Sequence, residues 1–152
     1  TISQPFIVAL MTDLLELTEH DAVLEVGTGL GYQAAILAEL ADQVFTVEIL
    51  EELAREGEQR LRGAGYNNIH VRIGDGSNGW PEHAPYDKVI VTAAPELIPP
   101  ALINQLKPGG RMVVPAGLED QQQLLVVSKD ETGRVSTKEV IPVLFSRLIT
   151  SH

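Results

Sequence analysis

AVLEVGTGLGYQAAILAEL, residues 22–40, falls into three parts. AVLEV (22–26) is short, apolar and β-branched-rich, the composition of a strand buried on both faces. GTGLG (27–31) follows with no spacer and reads as a turn that only glycines make freely. A helix is expected from Tyr32 to Leu40. Working outward, QVFTVE (43–48) predicts a second strand, and residues 51–62 a charged amphipathic helix with Leu53 and Leu61 inward, stopped by Gly63 and Gly65. NIHVRIGD (68–75) predicts a third strand and YDKVIVTAA (86–94) a fourth. A helix over 97–106, ended by Lys107-Pro108-Gly109-Gly110, leads into a fifth strand, RMVVPAG (111–117). Upstream, Ile7, Leu10, Met11, Leu14 and Leu15 form the stripe of a helix over 5–17. Pro5 suits its first position and holds Gln4 extended, so Thr1 to Gln4 reads as a stiff arm.

Downstream the rhythm changes. QQQLLVVSK (121–129) and KEVIPVLF (138–145) are separated by DETGRVST, too short and turn-rich for a helix, which predicts an antiparallel pair. The expected architecture is α/β: a Rossmann-like, doubly wound, mainly parallel seven-stranded sheet ending in an antiparallel hairpin. Its site should lie outside the carboxyl ends of the strands.

With 152 residues the chain predicts one domain over 1–152. Eleven Lys and Arg against 21 Asp and Glu give a formal charge of −10, which repels a phosphate backbone, so no nucleic-acid partner is expected. There is no cysteine, hence no disulfide frame and no thiolate metal site. Apolar runs such as Phe6 to Met11 fall far short of the ~20 residues of a membrane-crossing helix. The first Lys or Arg is Arg55, so the start of the chain carries no signal-peptide charge pattern, and no membrane partner is expected. His20, His70, His83 and His152 share no ligand spacing, so no metal is expected, and no nucleophile elbow is present. Asp75 to Gly79 begins like a calcium loop, but the twelfth position is Tyr86 rather than Glu.

Gly27, Gly29 and Gly31 stand between a strand and a helix, where backbone N–H groups face a ligand at close range. Glu48 lies 21 positions after Gly27, at the end of the next strand, where an acid can take both ribose hydroxyls. Together they indicate a nucleoside-containing cofactor. Tyr32 occupies the third-glycine place of a dinucleotide site, and Glu25 adds negative charge before the turn, so a cationic ligand is favoured over a pyrophosphate. The same residues also read as a plain tight turn beside a solvated strand end.

VLEVGTGLGY (23–32) resembles the first motif of S-adenosylmethionine-dependent methyltransferases. TISQP (1–5), GDGSNGW (74–80), APYDKVIVTAAP (84–95) and LKPGGRMVVPAG (106–117), in this order, resemble one branch, the protein-L-isoaspartate O-methyltransferases. The resemblance covers roughly residues 1–118. It implies a cytosolic repair enzyme that methylates the carboxylate of isoaspartyl residues in damaged peptides and proteins with S-adenosylmethionine, and we expect a monomer. By resemblance Glu25, Gly27, Thr28, Gly29, Gly31, Glu48 and Thr92 surround the cofactor, Asp75 faces the adenine amino group and Gly76 permits close backbone approach. Ser3 is assigned to catalysis and substrate contact, flanked by Thr1 and Ile2, while Ala93 and Ala94 complete the floor between the methyl group and the peptide. Residue by residue there are plainer readings: Ser3 as a helix cap, Asp75-Gly76 as a turn pair, Thr92 to Ala94 as a packed strand end, and Trp80 as core filler rather than adenine shield.

Two departures stand out. Family members carry a helical segment upstream of the TIS motif, which a domain over 1–152 would lack. Where the family often has a Val-Pro-Leu type sequence near the end, this chain has Phe145-Ser146-Arg147-Leu148, placing Arg147 either against the substrate or toward solvent. The competing readings are a methyltransferase of this fold with another acceptor, a cofactor-binding domain without turnover and, more distantly, a nicotinamide dehydrogenase.

Overall fold

The computed structural model describes residues 5–151. Along β1 (Ala22–Val26) successive side chains turn to opposite faces, as the two-residue period of a strand dictates. Val23 enters one core with Met11, Leu37, Val44 and Ile90; Leu24 and Val26 enter a second with Phe45, Val47, Tyr86 and Val89. A sheet covered on both faces needs apolar residues at consecutive positions, and β1 and its neighbours supply them.

The remaining elements are α1 (Pro5–Leu15), α2 (Tyr32–Leu40), β2 (Gln43–Glu48), α3 (Glu51–Gly63), β3 (Ile69–Ile73), β4 (Tyr86–Val91), α4 (Pro100–Asn104), β5 (Leu106–Leu118), β6 (Gln121–Lys129) and β7 (Val135–Val143). Short 3-10 turns cover Gly76–Asn78 and Pro81–His83. The seven strands lie in the order β3-β2-β1-β4-β5-β6-β7. All pairings from β3 to β5 are parallel, and β6 and β7 add antiparallel strands at one edge, the architecture the sequence predicts. Helices α1, α2 and α3 place Met11, Ala34 and Leu61 in the first core, while Leu102 of α4 fills the second. Among the described residues no helix is long and apolar enough to cross a membrane.

Several boundaries differ from the sequence reading: β3 covers 69–73 rather than 68–75 and β4 covers 86–91 rather than 86–94, and four further elements differ for local reasons. Helix α1 stops at Leu15, because Glu16 takes a left-handed φ of 54° and Arg111 donates to the Leu14 carbonyl at 2.9 Å. Helix α4 covers 100–104 rather than 97–106: Pro99 keeps Ile98 out of the helical region, and Pro100 takes the first helical position. Strand β5 already begins at Leu106, so Lys107 to Gly110 belong to the sheet, with a register irregularity opposite Tyr86 and Lys88. Strand β7 spans 135–143 because the turn is confined to Asp130–Arg134, where the Asp130 carboxylate accepts from the Thr132 and Arg134 amides. At its other end Phe145 leaves the ladder for the side chain of Gln122.

Candidate active site

The crossover point of the sheet, between β1 and β4, opens a cleft of about 1320 Å³. Its wall begins with the glycine turn. Gly27 has φ of 101°, and a Cβ there would stand 2.5 Å from Thr92 Oγ1, so the residue must be glycine for two reasons. Thr92 Oγ1 in turn donates to the Gly27 carbonyl at 2.9 Å, tying the end of β4 to the turn. Helix α3 comes equally close: a Cβ on Gly57 would meet the Gly29 carbonyl oxygen at 2.9 Å. Sequence reading missed Gly57, although the small stripe Ala54, Gly57 and Leu61 is the buried face of α3 and Leu53 turns instead to the cleft. Around Gly29 itself there is open space, as a surface that receives a ligand requires.

Glu48 ends β2 directly beneath this turn. Its Oε1 accepts from the Gly29 amide at 2.9 Å and its Oε2 from the Leu50 amide at 3.1 Å. Each oxygen keeps one lone pair, so the carboxylate is fixed in place and still has two acceptor positions.

Glu25 is placed differently from the expectation. It does not line the cleft, and it lends the turn no negative charge at neutral pH: complete burial, reinforced by nearby Glu48 and opposed by the Thr46 bond, pushes its carboxyl up to about 8. Thr46 donates to Glu25 Oε1 at 2.6 Å and lies 2.6 Å from the Thr28 hydroxyl. Since Thr46 has one proton, Thr28 is the donor in the second bond. Glu25 Oε2 is the one buried side-chain oxygen or nitrogen without a partner among the described residues. A carboxyl that stays protonated thus reaches the glycine turn through two hydroxyls, of which Thr46 drew no attention in the sequence.

Asp75 is fully engaged. Oδ1 accepts from the Ser77 amide at 2.9 Å and hydroxyl at 2.7 Å, and Oδ2 from the Ser151 amide at 2.9 Å and hydroxyl at 3.0 Å. Partial burial, the largest influence, raises its pKa, but the serine hydrogen bonds together outweigh it and hold the carboxyl below its ordinary value. All four acceptor positions are taken, so an adenine amino group reaches Asp75 only by displacing a serine. Gly76 is buried and lines the cleft, and a Cβ there would sit 2.3 Å from Val26 Cγ1. Gly76→Ala should therefore cost about 1–3 kcal/mol by overpacking and narrow the cleft, which thermal unfolding and ligand titration of the same sample would register. Trp80 packs edge-on to Phe45 at 5.7 Å, beneath the Arg72 guanidinium, and is not part of the cleft wall; the core reading holds for it.

Thr92 and Ala93 line the floor, whereas Ala94 is buried and spent on pairing. Its amide donates to the Ser146 carbonyl at 2.8 Å and its carbonyl accepts from Leu148 at 2.9 Å, so residues 146–148 lie as a strap along the cleft. Gln122 clamps the strap's start, accepting from the Phe145 amide at 2.7 Å and donating to its carbonyl at 3.1 Å. Ile7 and Val8 of α1 reach the same cleft; Thr1, Ile2 and Ser3 lie outside the described residues. No cluster able to hold a metal occurs among the described residues.

These residues fit a nucleoside better than a dinucleotide. Glu48 offers two acceptors for a sugar diol, Gly29 leaves room against the backbone, and among the described residues from Gly27 to Tyr32 that line the cleft none is cationic to meet phosphates.

Comparison with known proteins agrees. The family model described as Protein-L-isoaspartate(D-aspartate) O-methyltransferase matches residues 1–152. A Polaromonas sp. protein named protein-L-isoaspartate O-methyltransferase 1 is 66% identical over 148 residues, which are 97% of this chain and 63% of that protein. A solved protein-L-isoaspartate O-methyltransferase, 29% identical, matches with a TM-score of 0.89 over 96% of this chain and 47% of its own. A Plasmodium falciparum protein solved in complex with S-adenosyl-L-homocysteine shares the fold at 20% identity, with a TM-score of 0.83 over 99% of this chain and 77% of its own. The chain thus spans less than two thirds of the length of the Polaromonas relative.

Proposed function

The chain belongs to the protein-L-isoaspartate(D-aspartate) O-methyltransferase family, and on that premise we propose that it methylates the free carboxylate of L-isoaspartyl residues in damaged peptides and proteins, with S-adenosylmethionine as cofactor. The observation that carries this reading is Glu48, fixed by two amides at the glycine turn with a lone pair left on each oxygen. When bound, the cofactor would supply an electrophilic methyl group on a sulfonium cation. Glu48 would hold its ribose hydroxyls, the backbone from Gly27 to Leu30 would lie along its amino-acid end, and Gly76 would admit its base; Gly31, contrary to the expectation, faces Leu61 of α3 and does not line the cleft.

A carboxylate acceptor, with a pKa of ~4, is ionised at neutral pH and needs no general base. What remains for the protein is positioning and exclusion of water, for which the small floor residues Thr92 and Ala93 leave space. Ser3, two residues before α1 in the sequence, is proposed to hold the acceptor carboxylate through a neutral hydroxyl. Ser3→Ala should slow transfer about tenfold, the scale of one hydrogen bond, with cofactor affinity unchanged; single-turnover rates beside calorimetric titration distinguish the two effects.

The same reading places the protein in the cytosol as a monomer. The net charge of −10 supports a peptide acceptor over a nucleic acid. The test is transfer of a labelled methyl group to an isoaspartyl peptide and to its aspartyl twin. We expect label in the first only; equal labelling of both, or of neither, overturns the reading.

A further inference from the structure

Arg147 is the one cationic residue in the cleft wall among the described residues, whereas two acids, Glu48 and Asp120, share that wall. The other arginines up to position 111 pair with glutamates: Arg55, Arg60 and Arg62 along α3, Arg72 with Glu82 and Arg111 with Glu16. Arg147 makes no ion pair and no side-chain hydrogen bond among the described residues. Its position is nonetheless set by the backbone. It pairs in parallel register with Ala94, two residues past Thr92, and its neighbours Ser146 and Leu148 exchange hydrogen bonds of 2.8 and 2.9 Å with that alanine. The Gln122 clamp on Phe145 secures the strap one residue earlier.

A guanidinium stays charged at any working pH and matches a carboxylate with two parallel hydrogen bonds. Held beside the floor with no ion pair among the described residues, in a protein whose net charge of −10 repels acidic peptides, it creates a local site for an anion. The methyl-accepting carboxylate is the wrong occupant. Neutralising that group would stabilise the ground state, where its charge is full, more than the transition state, where the charge is being lost. We propose, resting on the isoaspartyl reading above, that Arg147 determines specificity by receiving a second carboxylate of the acceptor peptide, adjacent to the isoaspartyl residue. That carboxylate belongs either to an acidic side chain or to the peptide's own C-terminus.

The test compares three isoaspartyl peptides: amidated with a neutral residue after the isoaspartyl group, amidated with an acidic residue there, and neutral with a free C-terminal carboxylate. For each, kcat/KM and peptide affinity by fluorescence anisotropy are measured with wild type, Arg147→Gln, Arg147→Lys and, as a control outside the cleft, Arg134→Gln. Wild type should favour at least one carboxylate-bearing peptide over the neutral one about tenfold, and which one identifies the source. Arg147→Gln should bring that ratio near one, Arg147→Lys should retain part of it, and Arg134→Gln should leave it unchanged. A merely structural role for Arg147 would lower all three peptides together and leave the ratio intact. An unchanged ratio in Arg147→Gln, or no preference in wild type by either readout, overturns the proposal. Failure of wild type to methylate any isoaspartyl peptide, while the affinities still follow Arg147, overturns the functional reading instead.

Discussion

Glu25→Gln should flatten the pH dependence of stability between about pH 5 and pH 8. In the native protein the Glu25 carboxyl is pushed from 4.5 up to about 8 by burial, with Glu48 adding to the effect. In the unfolded chain it titrates at its ordinary value, so between these two pH values the native state binds more protons than the unfolded state. Stability then falls as pH rises, by about 1.4 kcal/mol per unit at most. Below the lower value both states are protonated and the penalty is absent; above the upper one both are ionised and it is complete, on the order of 5 kcal/mol. Glutamine has no proton to lose, so this contribution disappears. The measurement is the urea midpoint at half-unit pH steps for both proteins. Self-repulsion at a net charge of −10 lowers stability with pH in each, so the difference between the curves is the readout. Parallel curves would show that Glu25 titrates normally.

The residues that sequence could identify are those whose chemistry is local. The glycine turn is written in consecutive letters, and Glu48 falls on the site because a six-residue strand, 43–48, carries it to the same edge as the turn. The boundaries of β1, α2 and β2 agree with the sequence reading because pattern and turn chemistry coincide there. Where they conflict, as at Pro99-Pro100, the proline prevails over the apolar stripe and the helix shortens. The remaining site features depend on partners remote in sequence. Thr46 gains meaning only from Glu25, 21 residues before it, and Gln122 only from Phe145. Asp75 loses its open acceptor positions to Ser151, 76 residues away. Burial also reversed the sign of an argument: the sequence shows a carboxylate at position 25, but the fold removes its charge.

Glu48→Ala should weaken S-adenosylmethionine binding by at least about 100-fold, roughly 2.7 kcal/mol. Two losses add. The Gly29 and Leu50 amides lose their acceptor, at 2.9 and 3.1 Å, and the turn is no longer held in the geometry the cofactor meets. The two acceptor positions proposed for the ribose hydroxyls vanish as well, and a hydrogen bond to a charged group is worth about 1.5–3 kcal/mol. Glu48→Gln separates the contributions: its carbonyl oxygen can still accept from Gly29, so it should bind more tightly than the alanine variant and more weakly than wild type. Calorimetric titration gives the affinities, and circular dichroism melting confirms that each variant is folded. A second readout follows from the position of Glu48 beside Glu25. The negative charge of Glu48 helps raise the Glu25 pKa, so in both variants the fall of stability with pH should end at a lower pH than in wild type. Unchanged cofactor affinity in Glu48→Ala would remove the ribose from this carboxylate, and with it the observation on which the functional reading stands.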